Sequence, residues 1–273
     1  MHVALVHQPY RPETGATAER VGERLAARGA GCELMSAFDL QPDDAGRFEL
    51  AFSFGGDGTT LRTARWAVRS GLPGDPAPLP IVPVGMGTLS FLAELAPPDL
   101  DGRLDPYLAE DYWRDERTML EVRVDGTRAI ALNDAVAARG AALRAVSLDL
   151  EVHGHPVARF TADGVVVATA TGSTAYALAA GGPVLAPELA NMVVVPIAGH
   201  LSALGSLVLP ETADITLTVV RSQPAILSAD GQVDFDLPVG ATAAIRVAHE
   251  RTVFARRGDP RDFYAQLAAR LHR

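Results

Sequence analysis

The chain has no lysine. All 24 of its basic residues are arginines, set against 33 acidic ones, for a formal net charge of −9 over 273 residues. Without lysine there is no Walker-type phosphate loop and no Schiff base through a lysine amine. The acidic excess argues against sequence-independent nucleic-acid binding, which depends on clustered cations neutralising phosphates. A local basic cleft for a small phosphorylated ligand stays open. Cys32 is the only cysteine, so no intramolecular disulfide, thiolate zinc site or iron–sulfur cluster can form, and a reducing, cytoplasmic setting is expected. Long apolar runs are also missing. Residues 164–187 carry no charge, and neither do 189–210 apart from His200, but Gly, Pro, Ser and Thr interrupt both, so no membrane span is expected. The opening Met1-His2-Val3-Ala4-Leu5-Val6-His7 lacks a basic flank and reads as a strand rather than a signal peptide.

What is present is ordinary globular material, 48% hydrophobic and 21% charged, long enough for one large domain or two small ones. Over the first hundred residues strands and helices alternate. Residues 3–6 read as a strand and 13–28 as a helix closed by Gly29. Residues 50–54 are a second strand, 59–69 carry helical spacing, and 81–84 are a further strand. Such alternation predicts a Rossmann-like α/β domain with a parallel sheet. From about residue 116 the rhythm shortens to β-rich runs at 120–124, 129–132, 146–152, 165–169, 215–220, 225–227, 233–237 and 243–247. Asp125-Gly126, His153-Gly154, Asp163-Gly164 and Asp230-Gly231 punctuate them as turn signals. This predicts a mostly β, sandwich-like domain interrupted by one helix near 174–180. Asp259 as N-cap, Pro260, and Phe263, Leu267 and Leu271 on one face predict a terminal helix packing back on the first domain. The expected division is 1–99 plus 258–273 for the α/β domain and 100–257 for the β domain, with Pro97-Pro98 at the boundary.

The chemistry concentrates in Gly55-Gly56-Asp57-Gly58-Thr59, where a buried strand hands over to a helix. Glycines there let the backbone approach a ligand, and the N–H groups at a helix start favour an anion such as phosphate. Asp57 would repel a bare phosphate, so its presence points to a second role, in metal binding or in accepting a hydroxyl proton. The bland alternative is a tight strand–helix turn. Arg62, a helical turn on, could reach the same phosphates or be a solvated helix charge.

That loop resembles the signature shared by NAD kinases, phosphofructokinases and diacylglycerol-type lipid kinases. Three further elements single out the NAD kinases. Thr169-Ala170-Thr171-Gly172-Ser173-Thr174-Ala175-Tyr176, preceded by Asp163-Gly164 and followed by Gly181-Gly182-Pro183, is similar to that family's long second motif. Asn133-Asp134 matches its Asn-Glu pair, and Ser228-Ala229-Asp230-Gly231-Gln232 matches its late Asp-Gly-Gln element. The resemblance implies ATP-dependent phosphorylation of the adenosine ribose 2′-hydroxyl of NAD, with Mg²⁺ accompanying ATP and a homodimer or homotetramer as the assembly. It implies that Asp57 is the catalytic base and that Gly55, Gly56, Gly58, Thr59 and Arg62 line the phosphate site. Asn133 and Asp134 would hold the adenine and ribose end of NAD, and Asp163 the other ribose. Thr171, Thr174, Ala175, Tyr176 and Ala179 would line the dinucleotide site, with Arg144 and Gln232 at contact positions. Without the family, Asn133-Asp134 and Asp230-Gly231 read as turns, Tyr176 as a core aromatic and His200 as plain structure.

The pattern also departs from the family. Ala170 replaces a proline, Asp134 a glutamate and Ala179 a serine. The loop Gly85-Met86-Gly87-Thr88-Leu89-Ser90-Phe91-Leu92 is shorter than usual and lacks its asparagine, and Gly205-Ser206 stands where Arg-Pro is typical. Two rivals follow: a lipid or sugar kinase sharing only the glycine loop, and a catalytically silent NAD-binding regulator.

Overall fold

The computed structural model describes residues 1–68, 77–87, 90–140, 145–199, 204–221 and 223–271. The chain forms two compact units, one of residues 1–116 with 250–273 and one of residues 117–249.

The first unit opens with β1 (His2–His7), α1 (Pro12–Ala26), β2 (Gly31–Ser36), β3 (Leu50–Gly55), α2 (Asp57–Ala67) and β4 (Pro80–Gly85). A short helix α3 (Asp105–Leu108) follows. The strands pair in parallel in the order β2-β1-β3-β4, and residues 253–254 near the end of the chain add a fifth parallel strand beside β4. β3 lies at the centre and is buried along its whole length, as its Leu-Ala-Phe-Ser-Phe-Gly sequence requires. α1 turns Ala18, Val21 and Leu25 onto this sheet against Val3, Leu5, Phe52 and Phe54. It ends where Gly29 takes φ +87°, the left-handed position a helix terminus favours. In this strand order the crevice between β1 and β3, at their carboxyl ends, is where open parallel sheets bind ligands. The Gly-Gly-Asp-Gly loop leaves β3 at that edge.

The second unit is built from antiparallel strands: the later part of β5 (Trp113–Val124), then β6 (Thr127–Ala131), β7 (Asp134–Arg139), β8 (Val146–Val152), β9 (His155–Ala162) and β10 (Gly164–Thr169). A 3-10 turn (Gly172–Thr174) and a one-turn helix α4 (Tyr176–Ala179) fill the interval before β11 (Met192–Ile197). Next come β12 (Leu207–Leu209), β13 (Ile215–Arg221), β14 (Ala225–Ala229), β15 (Val233–Leu237) and the long β16 (Thr242–Arg256), whose last residues belong to the first unit. One sheet runs β12-β11-β10-β7-β14-β15. Its inner face packs Val165, Val167 and Leu227 against Leu148, Leu150, Ile215 and Ile245 of the facing strands. Its outer face buries Val166, Ala168 and Val193 beneath Ala177 and Leu185. β10 is therefore buried on both faces, which is why residues 164–169 carry no charge. No helix among the described residues is long and apolar enough to cross a membrane.

Three of the four Asp-Gly or His-Gly signals are tight hairpins with both residues left-handed: Asp125-Gly126, His153-Gly154 and Asp230-Gly231. Asp163-Gly164 instead leads into β10. The chain closes with α5 (Asp262–Leu271), preceded by a turn in which Asp259 accepts from the Arg261 N–H at 2.8 Å. Phe263 and Leu267 of its predicted apolar face are half-buried.

Candidate functional site

In the first unit the geometry is set by the step from β3 into α2. Gly55 has no room for a side chain: an added Cβ would lie 2.2 Å from Thr59 Oγ1. Thr59 is buried by folding back on it, and Gly56 is the N-cap of α2, its C=O accepting from the Thr59 and Thr60 N–H groups at 3.0 and 3.2 Å. Gly56 and Gly58 differ from Gly55. Among the described residues, an added Cβ at either would meet nothing within 4 Å, and neither has a left-handed φ. Packing within the chain explains Gly55; it does not ask for glycine at 56 or 58.

Asp57 is the first residue of α2, where a negative charge faces the positive end of the helix dipole. Its carboxylate accepts from the Ser90 hydroxyl, from the Phe91 N–H at 3.1 Å and from the Leu92 N–H at 3.3 Å. The segment supplying these donors is itself anchored. The Leu92 carbonyl accepts from the buried Arg256 guanidinium at 2.9 Å, and Arg256 also pairs with Asp115 at 3.2 Å and Glu94 at 3.4 Å. Glu94 in turn accepts from the Tyr107 hydroxyl at 3.0 Å, and burial followed by the Glu94 charge pushes that phenol well above its usual range. Arg62 is not part of this cluster. Five residues on, it lies about 140° around α2 from Asp57, with its guanidinium 4.2 Å from the Phe38 ring centroid. There it lines a cavity of about 320 Å³ with Leu40, Pro42, Arg65 and Trp66.

In the second unit Asn133 and Asp134 begin β7 beside the end of β10, where Asp134 pairs with Ala168. Thr169 holds this junction: its N–H donates to the Asn133 carbonyl at 2.9 Å and its hydroxyl to the Leu132 carbonyl at 2.6 Å. The same Oγ1 accepts from the Gly172 N–H at 3.0 Å. Gly172 is obligatory, since a Cβ there would lie 2.0 Å from the Asn133 oxygen. The following turn is fastened by its own side chains. The Ser173 hydroxyl donates to the Ala170 carbonyl at 2.6 Å and accepts from the Leu185 N–H at 2.9 Å, and the Thr174 hydroxyl donates to the Thr171 carbonyl at 3.1 Å. Arg117 donates to the Thr171 hydroxyl at 3.2 Å. Thr171 and Thr174 are buried, Ala175 is half-buried, and Tyr176 and Ala179 face outward along α4, the Tyr176 ring 45% exposed. Tyr176 is therefore not the core aromatic that the sequence alone left open.

The Asp230 hairpin closes on the same junction. Its carboxylate accepts three consecutive backbone N–H groups, from Leu132 and Asn133 at 2.8 Å and Asp134 at 3.1 Å. Gln232, half-buried, sits two residues along that turn. Burial and then the Asp230 charge push the Asp134 carboxyl up to about 7. Asp163 lies elsewhere. It precedes β10, six residues and about 20 Å along the strand from Thr169, and pairs with Arg139 at 3.4 Å. Arg144 and His200 fall outside the described residues. No group of three or more His, Cys, Asp or Glu side chains among the described residues is placed to hold a metal ion.

Arg117 and Arg256, and the contacts made by the Ser90 hydroxyl and the Asp230 carboxylate, are features of the candidate site that sequence patterns leave unmarked. Ser90 stands in a quoted loop, but the reach of Asp230 crosses 96 to 98 residues and leaves no local trace.

The family model described as ATP-NAD kinase N-terminal domain matches residues 36–112, and that described as ATP-NAD kinase C-terminal domain matches residues 132–257. The second match covers what a kinase sharing only the glycine loop would have no reason to carry. An NAD kinase of Chloroflexus aggregans is 35% identical over 99% of this chain and 98% of its own length. One from Dehalococcoides mccartyi is 34% identical over 98% and 95%. Among solved structures, an NAD kinase from Archaeoglobus fulgidus in complex with ATP aligns at 25% identity with a TM-score of 0.81, over 98% of this chain and 99% of that one. Yeast NADH kinase complexed with NADH shares the fold at 23% identity, with a TM-score of 0.86 over 100% and 87%. The chain belongs to the ATP-NAD kinase family, and its reaction is the phosphorylation of NAD with ATP.

Proposed function

We propose that Asp57 is the general base of the NAD phosphorylation this chain performs. The 2′-oxygen of the adenosine ribose attacks the γ-phosphorus of ATP in line, the new O–P bond forming as the bond to the β,γ-bridging oxygen breaks. Asp57 takes the hydroxyl proton, and ADP and NADP leave. Gly55, Gly56, Gly58 and Thr59 form the loop against which the phosphates lie. Asn133, Asp134 and Gln232 hold the ribose and adenine end of NAD, while Thr171, Thr174, Ala175, Tyr176 and Ala179 line the dinucleotide. Arg62 and Asp163 are assigned no contact in this reading within one chain. Mg²⁺ enters with ATP and offsets triphosphate charge. A cytoplasmic homodimer or homotetramer completes the reading, on family resemblance.

One observation carries the catalytic part. An oriented carboxylate begins a helix between two glycines whose positions meet no other part of the chain among the described residues. A turn former would not need that vacancy; a nucleotide does. The test is to incubate the pure protein with ATP, Mg²⁺ and NAD and to measure NADP and ADP. Equal amounts of both are expected, with turnover abolished by excess chelator. A silent regulator would bind NAD and leave ATP unconsumed, and full turnover in chelator would remove the divalent cation from the mechanism.

A further inference from the structure

Asp230 looks at first like the corner of a hairpin. Both it and Gly231 are left-handed, at φ 53° and 63°, which Asp and Gly adopt more readily than other residues. A corner, however, needs nothing from its carboxylate. Here the carboxylate leaves its own turn and accepts three successive N–H groups from the segment entering β7, and the Asp230 N–H donates to the Asp134 carbonyl at 2.9 Å. Asn133 is thereby fixed from both sides. Its N–H goes to Asp230 and its carbonyl accepts from Thr169, so its backbone is committed and its side chain is left to act.

The arrangement has a cost. It sets the Asp230 charge beside the buried Asp134 carboxyl, and this repulsion adds to burial in raising Asp134. A clamp serving stability alone would be better placed beside a neutral or cationic residue. Three converging N–H donors also call for a carboxylate, because an amide has one acceptor oxygen and would turn its NH₂ toward at least one donor.

From this geometry we infer that Asp230 is a positioning residue for NAD: its carboxylate sets the backbone of residues 132–134 so that the Asn133 and Asp134 side chains meet the nucleotide. The inference rests on the reading that those two side chains contact NAD. Asp230 itself touches no substrate and has no part in phosphoryl transfer, so its effect belongs to the acceptor side of the reaction.

The experiment is steady-state kinetics on the full chain with NAD and ATP varied separately. Asp230→Asn keeps a residue that tolerates the left-handed turn and removes the charge. It is expected to raise the KM for NAD by roughly 10- to 100-fold, the worth of charge-assisted hydrogen bonds, while the KM for ATP stays within about threefold, the scatter of an uncoupled site. Asn133→Ala runs in parallel. The double variant is expected to be worse for NAD than Asn133→Ala alone by clearly less than the full effect of Asp230→Asn, because Asp230 acts in part through that side chain and in part through Asp134. If Asn133→Ala leaves the KM for NAD unchanged, the NAD-site reading fails and takes the proposal with it. If Asn133→Ala raises it but Asp230→Asn does not, or if the two effects simply multiply, the site stands and the positioning role is wrong. A comparable rise for both substrates would mark general loosening and overturn it as well. Should Asp230→Asn fail to fold, the wild type decides. Its backbone amide signals at 132, 133 and 134 are expected to shift together on titration with NAD, and signals unmoved by saturating NAD would refute the inference.

Discussion

Asp134 is the residue whose chemistry depends most on its surroundings. Buried and facing Asp230, it titrates near 7, far above an unfolded aspartate. The folded state therefore binds more protons than the unfolded state between about pH 4 and 7, and stability from this group falls as pH rises through that window, then levels off. Asp134→Asn removes the titration, so the variant is expected to gain in Tm over the wild type at pH 8 and to match it near pH 4. An equal difference at both pH values would contradict the assignment. Asp134→Ala tests its other role. At pH 8, where its carboxyl is mostly ionised, loss of a charged hydrogen bond to ribose is expected to weaken NAD binding by roughly 1.5–3 kcal/mol, with ATP affinity unchanged by calorimetry. An unchanged NAD dissociation constant would return the residue to structure alone. Glu121 governs the acid side. Burial raises its carboxyl, but hydrogen bonds from Arg123 and Arg128 and the charges of Arg128 and Arg246 outweigh this and hold it at about 2. Its contribution is complete above an ordinary glutamate range and is lost as pH falls from about 4.5 through 2.

Among the elements, two turns, one in each unit, carry the roles proposed, and glycine does opposite work in them. At Gly172 the missing side chain makes room for the chain's own backbone at Asn133. Gly172→Ala is expected to destabilise the fold by about 1–3 kcal/mol, the usual cost of overpacking, and to displace Asn133. At Gly58 no described residue approaches within 4 Å of an added Cβ, and alanine suits a helix's first turn better than glycine. Gly58→Ala is therefore expected to leave the denaturation midpoint nearly unchanged and still raise the KM for ATP. An unchanged KM there would mean that no ligand uses the vacancy. Both turns were legible before any coordinates, because a strand, a glycine cluster and a helix start form a local pattern. So were the left-handed Asp-Gly corners and the apolar strands β1, β3 and β10. β2 and β9 were not. β2 is mostly half-buried and β9 mostly exposed, with burial too uneven along either strand to show a two-residue alternation. Long-range partners were equally silent: Arg256 reaches Leu92 across 164 residues, and nothing beside either marks the other.

At the scale of the molecule, the loop carrying Asp57 belongs to a parallel α/β unit, and Asn133, Asp134, the 169–176 segment and Asp230 belong to an antiparallel β unit. The buried Arg256–Glu94–Asp115 group stiffens the segment that orients Asp57. Arg256→Met is expected to lower kcat more than it raises the KM for NAD, and a pure NAD-binding defect would show that this network serves the other half of the reaction. The central claim, that Asp57 accepts the 2′-hydroxyl proton, is tested most directly by Asp57→Asn. Asparagine keeps the shape and suits a tight turn but lacks the basicity. A folded protein is expected, with its NAD dissociation constant intact and kcat reduced by roughly 10²- to 10⁴-fold, the usual worth of general-base catalysis. A kcat within a few-fold of wild type, with NAD affinity unchanged, would place the base elsewhere and contradict the account.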